Sequence, residues 1–174
     1  MIHRFLDNAR ISLPAAALVL VGLSGCADDA ATQSTAHTSE SKVQSAVNLP
    51  QVLVHKSPTC GCCKLWVDHL RKEGFTVEAR DIDNLHPIKE RVGIPHALGS
   101  CHTAEVDGYF IEGHVPAEQV KRLLAERPKA KGLTVPAMPV GSPGMEVQSG
   151  EVQPYDVLLV AEDGSTSVFA HYGD

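Results

Sequence analysis

Aromatic side chains are scarce, at 5% of the sequence with a single tryptophan. No block of lysine and arginine stands out, and 15 Lys+Arg against 21 Asp+Glu give a net charge of -6. A phosphate-backbone partner is thereby excluded, and nucleic acid with it. A membrane span is missing too: the charge-free run Ile11 to Gly25 contains Pro14 and stops short of the roughly 20 residues a bilayer requires. Nor is the composition disordered or fibrous, with 43% hydrophobic and 21% charged residues in a chain of 174, one domain's worth. Soft and borderline metal ligands are abundant by contrast: 5 Cys, 3 Met and 9 His, with four of the cysteines between Cys60 and Cys101.

The N-terminus reads as a secretory signal. Arg4 and Arg10 precede the apolar run, and Leu23-Ser24-Gly25-Cys26 follows it. That last segment resembles the lipobox of bacterial lipoproteins, which implies cleavage before Cys26 and lipidation of its thiol. Ala27 rather than Asp follows, which in proteobacterial lipoproteins implies outer-membrane retention. The residues from Ala27 to about Asn48 carry almost no large apolar side chain and cannot offset their chain entropy, so a flexible tether is expected. The domain plan is a lipoprotein signal peptide over 1–25, a lipid-anchored linker over 26–48, a core over 49–127 and a C-terminal extension over 128–174.

Within the folded part, Gln51 to His55 reads as a buried strand between Pro50 and Ser57-Pro58. Leu65, Trp66, His69 and Leu70 recur at helical spacing as far as Gly74. Phe75 to Ile82 predicts a second strand and Leu85 to Val92 a short helix ending at Gly93. A hairpin turning at Asp107-Gly108 joins Cys101–Val106 to Tyr109–Ile111, and Pro116 opens a helix through Ala125. The order βαβα, β-hairpin, α is that of a thioredoxin-like α/β domain. Lys129 to Gly150, rich in Gly and Pro and carrying Met138 and Met145, predicts a long loop without regular structure. Tyr155–Val160 and Thr166–His171 predict a closing hairpin.

Cys60-Gly61-Cys62-Cys63 falls between the first strand and the first helix, where backbone N–H groups favour thiolate. Three thiolates this close repel one another, and a shared soft cation relieves the repulsion; Cu(I) suits best. Structural zinc is disfavoured, since only one cysteine knuckle is present. In a thioredoxin-like fold the chain entering the third strand passes over this turn, so Cys101 is expected to face Cys60 and Cys63. Period-two alternation then places either Cys101 or its neighbour His102 toward the site, with Cys101 favoured. Met145, and after it Met138, is either a loop residue packing over an apolar patch or a thioether ligand. His114 has a capping reading, holding the start of the Pro116 helix, beside a ligand one. His55 and His69 read as structural or solvated, and Trp66 with Leu65 and Leu70 as core.

Taken together, Cys60-Gly61-Cys62-Cys63, Ser100-Cys101-His102-Thr103, Glu112-Gly113-His114-Val115-Pro116 and Pro139-Val140-Gly141-Ser142-Pro143-Gly144-Met145 resemble the CopG-type proteins of bacterial copper resistance. That is a thioredoxin-like family also catalogued as a domain of unknown function, and the likeness spans about Leu49 to Tyr172. It implies a periplasmic copper protein whose cysteines hold a thiolate-bridged multinuclear site completed by the C-terminal extension. It also implies interconversion of Cu(I) and Cu(II), with copper efflux or a periplasmic redox protein as partner. The expected ligands are Cys60, Cys62, Cys63, Cys101, His102 and Met145, with Cys26 the lipidated residue and that lipid the one membrane contact. Two rivals remain: a metal-free thiol-disulfide oxidoreductase, and a copper store or chaperone without turnover. Two structural disulfides are disfavoured because three cysteines share one turn. No role is assigned to His171.

Overall fold

The computed structural model describes residues 48–174. The expected signal peptide, Cys26 and the expected linker through residue 47 lie outside the described residues. The fold is mixed α/β, seven strands in one sheet and three helices among the described residues. In chain order these are β1 (Val52–Lys56), α1 (Gly61–Lys72), β2 (Val77–Asp81), α2 (His86–Val92), β3 (His102–Val106), β4 (Tyr109–Glu112), α3 (Ala117–Glu126), β5 (Ala130–Thr134), β6 (Tyr155–Ala161) and β7 (Thr166–Tyr172). A short 3₁₀ turn at His96–Leu98 leads into β3.

The sheet runs β2-β1-β3-β4-β5-β6-β7. β1 and β2 are parallel across α1, and β4 and β5 are parallel across α3; the remaining neighbours are antiparallel. Each parallel pair thus has the crossover helix its geometry requires. The helix α1 buries Cys63, Trp66, Val67 and Leu70, a stripe at i, i+3, i+4 and i+7. That stripe and Val120 and Leu123 of α3 pack on Val52, Val54, Ala104, Ile111, Leu133 and Val157 of the sheet. Phe110, adjacent to Ile111 and so directed to the opposite face, gathers Ile94 and Val160, with Val92 and Leu98 at the margin.

The strand β5 departs from the sequence expectation of a loop from Lys129 onward. Its glycine explains both the error and the strand. A Cβ at Gly132 would be driven into the Phe110 carbonyl of β4, so a residue that weakens strand propensity is here the one that permits close pairing. Beyond Thr134 the chain has no helix or strand until Tyr155. β6 and β7 then form the antiparallel hairpin, and with β5 they extend the same sheet rather than a separate one.

Candidate metal centre

Cys60 is the N-cap of α1, and its sulfur takes the place usually filled by a serine or aspartate oxygen: the Cys63 N–H donates to Cys60 Sγ at 3.3 Å. Cys62 Sγ is 3.5 Å from Cys60 Sγ. Cys63 points into the core beneath the turn, fully buried, with its Sγ 3.8 Å from the Cys101 carbonyl. Cys60 and Cys63 are joined as a disulfide, while Cys62 and Cys101 are free thiols. The sulfurs of Cys60, Cys62, Cys63 and Cys101 all lie within 4.8 Å of one another.

A second group overlaps the first at Cys101. Its Sγ stands 3.2 Å from His102 Nδ1 and 3.1 Å from His114 Nε2. The alternation expected to separate Cys101 from His102 does not hold, because Cys101 precedes β3 and only His102 belongs to the strand. His114 does not cap α3 either. Its Nδ1 lies 2.8 Å from the Pro143 carbonyl; donation there leaves the Nε2 lone pair facing Cys101. The first N–H of α3 is met instead by α1: the Ala117 N–H donates to His69 Nε2 at 3.1 Å.

Register shows how His114 could have been found. The two-residue turn at Asp107-Gly108 pairs Thr103 with Glu112. Carrying that register two steps outward sets Cys101 opposite His114.

The histidine side of the site is buried, while Cys60, Cys62 and Cys101 are partly exposed. His102 and His114 are fully buried, and the Trp66 ring backs His102 at a centroid distance of 4.4 Å. Burial, then the neighbouring His114 ring and the Lys89 ammonium, brings the His102 imidazole down to about 3; burial lowers His114 as well. Both rings are therefore neutral at pH 7, with lone pairs to offer. Burial, and after it the neighbouring Cys62, pushes the Cys101 thiol up to about 11. A thiol so placed keeps its proton until a cation displaces it.

The segment after β5 closes the site. Gly144 has φ +85, and a Cβ there would come within 2.8 Å of the Trp66 nitrogen and 2.9 Å of the Cys62 carbonyl. The loop thus lies directly on the first turn of α1. Met145 follows, half-buried in a turn in which its N–H donates to the Ser142 carbonyl at 2.7 Å. Met138 is 48% exposed. His171 is held elsewhere, on β7, with Nδ1 2.6 Å from Asp156 Oδ1 of β6.

A family model described as "Protein of unknown function, DUF411" matches residues 98–145, which include Cys101, His102, His114 and Met145. Two solved structures carry the titles "Copper resistance protein copG- Form 1" and "Copper resistance protein copG- Form 2". Each is 42% identical to this chain, and each alignment covers 72% of this chain and 99% of the other. The TM-scores are 0.69 and 0.68. The chain belongs to the CopG copper-resistance family. No curated protein matches it. Membership and the cysteine cluster together support a copper-resistance role, with copper ions as the species handled.

Proposed function

We propose that the chain is a periplasmic copper protein that, with the Cys60–Cys63 disulfide reduced to thiolates, holds more than one copper ion across the two overlapping ligand groups and interconverts Cu(I) and Cu(II). The observation that carries this reading is the shared position of Cys101, between three cysteine sulfurs on one side and two imidazoles on the other. Sulfur favours Cu(I), whereas nitrogen is better tolerated by Cu(II). A set containing both suits a metal that changes oxidation state more than one that is merely stored.

The donor chemistry fits copper on a further point. His102 Nε2 is fully buried without a hydrogen-bond partner. The other ring nitrogen, Nδ1, is the one that faces Cys101 Sγ at 3.2 Å, so the imidazole is held at the thiol although its far nitrogen goes unpaired, a cost that a ligand role for Nδ1 would explain. Copper, as the substrate, supplies the electron that is exchanged. The chain's own residues assemble the sulfurs at the N-terminus of α1, fix the His114 tautomer through Pro143 and exclude water with Trp66 and the Gly144 turn. A thioredoxin-like scaffold with a C-terminal extension accounts for the ligands coming from both the β1–α1 turn and the later segment, Met145 included. The lipobox-like Leu23-Ser24-Gly25-Cys26 supports anchoring at the outer membrane, within reach of copper efflux or of a periplasmic redox partner.

The Cys60–Cys63 disulfide favours a second reading, thiol-disulfide exchange. A substrate dithiol would attack that bond to give a mixed disulfide and one free cysteine, and its second thiol would then release the chain with Cys60 and Cys63 as thiols and the substrate as a disulfide; Cys62 and Cys101 are the thiols placed to resolve the mixed disulfide by an internal bridge instead. Spectroelectrochemical titration with copper counted after each cycle separates the two. Reversible oxidation without loss of metal is expected. Copper ejection with disulfide formation on the first oxidation would establish thiol exchange or storage instead.

A further inference from the structure

Beside the centre, between α2 and the β3–β4 hairpin, lies a carboxylate that the copper chemistry does not use. Glu112 is fully buried. Its Oε1 accepts from the Ser100 N–H at 2.5 Å and from Lys89 Nζ, and its Oε2 accepts from Thr103 Oγ1 at 2.7 Å. Lys89 Nζ also donates to Thr103 Oγ1, at 3.0 Å, so the charge is matched and two of the three ammonium donors are used.

A buried ion pair is a weak device for stability alone, since well-packed apolar residues of the same volume generally do as well. Placement is more informative. Ser100 immediately precedes Cys101 and lies outside the strand ladder, so the Glu112 carboxylate takes the place of a backbone acceptor for its N–H. Ser100 Oγ passes the connection on, donating to the Ala137 carbonyl in the segment after β5 at 2.5 Å. The Glu112 carbonyl accepts from the Val135 N–H at 3.0 Å, and two residues along the chain comes His114. One side chain therefore grips the turn that presents Cys101, while its own backbone leads to the ring facing that sulfur.

We infer that Glu112, neutralised by Lys89, is a positioning residue that seats Cys101 Sγ between the cysteine turn and the two imidazoles. The inference deepens the copper reading and rests on it for its consequence, though the seating itself is a property of the metal-free chain. Shortening the arm by one methylene, in Glu112→Asp, keeps the charge and the partner lysine, which is long enough to follow, but withdraws the acceptor from the Ser100 N–H. Glu112→Leu with Lys89→Met removes charge and acceptor together without stranding an ion.

The test uses the metal-free protein with its Cys60–Cys63 disulfide intact, and compares alkylation of Cys101 by iodoacetamide with that of Cys62 in the same molecule. In both variants the Cys101 rate should rise at least about tenfold relative to Cys62, the scale of losing one charge-assisted hydrogen bond at the turn that holds it. The thiolate-to-copper absorption of the copper-loaded protein should shift with it. Val160→Ala, a core truncation in the Phe110 cluster on the other face, serves as a control for lowered stability alone. A Cys101-to-Cys62 ratio in Glu112→Asp no different from that of Val160→Ala overturns the inference and leaves Glu112 a stabilising residue only. Should the double variant not fold, Glu112→Asp alone decides. Wild-type protein that takes up no copper defeats the copper reading, while the alkylation ratio still decides the seating of Cys101.

Discussion

Cys101 Sγ and His114 Nε2 face each other at 3.1 Å across the end of the β3–β4 hairpin, and Pro143 holds the far nitrogen of the ring. The contact joins the two ends of one hairpin to a loop 29 residues beyond His114. It also gives the sulfur cluster a nitrogen side, on which the redox reading depends. Deleting that nitrogen in His114→Ala should favour Cu(I) over Cu(II) and raise the midpoint potential. A tenfold change in relative affinity corresponds to about 59 mV for one electron. Spectroelectrochemistry of the copper-loaded protein measures it, and an unmoved midpoint would remove His114 from the ligand set.

Gly144 is the point at which the loop meets α1. Gly144→Ala places a methyl group against the Trp66 and Cys62 backbone at a positive φ. The cost should exceed about 1 kcal/mol, beyond what ordinary glycine replacement does. The loop would also lift, weakening the Pro143 contact to His114. Chemical denaturation reads the first effect, and the nitrogen shift of the His114 ring the second. A variant as stable as wild type with unchanged ring shifts would mean that the loop does not brace the site.

Met145→Leu keeps volume and apolar character while deleting the thioether. Stability should fall by less than about 1.5 kcal/mol. Copper affinity should weaken, and the metal spectrum should shift. An identical copper site in the variant would make Met145 a packing residue.

Cys26→Ser should abolish incorporation of labelled fatty acid and release the mature protein into the soluble periplasm. Wild-type protein that takes up no label would rule out the anchor.

Much of the site was legible because it is local. The spacing of Cys60, Cys62 and Cys63 between a strand and a helix places three sulfurs at one N-terminus, whatever the rest of the chain does. Cys101 and His102 were legible as a pair, but the reliance on strand alternation assumed that both lie in β3. Cys101 lies just before it, where period two does not apply. His114 was obscured by Pro116, a strong helix-start signal that made capping the simpler role. The cap is in fact supplied by His69 of α1, a tertiary contact across 48 residues. The strand β5 was hidden by Gly132, whose value comes from the neighbouring strand rather than from its own propensity. Glu112 showed no sequence signal beyond its motif, because its donors, Lys89 of α2 and Ser100 and Thr103 around the start of β3, meet it only in the fold.

The central claim, a multinuclear thiolate–imidazole copper centre, is tested most directly by counting Cu(I) bound to the anaerobically reduced protein, wild type beside Cys62→Ser. The account predicts more than one Cu(I) in the wild type, and a lower count with an unchanged circular dichroism spectrum when the Cys62 sulfur is removed. One Cu(I) or less in the reduced wild type, or a count indifferent to Cys62, would contradict it.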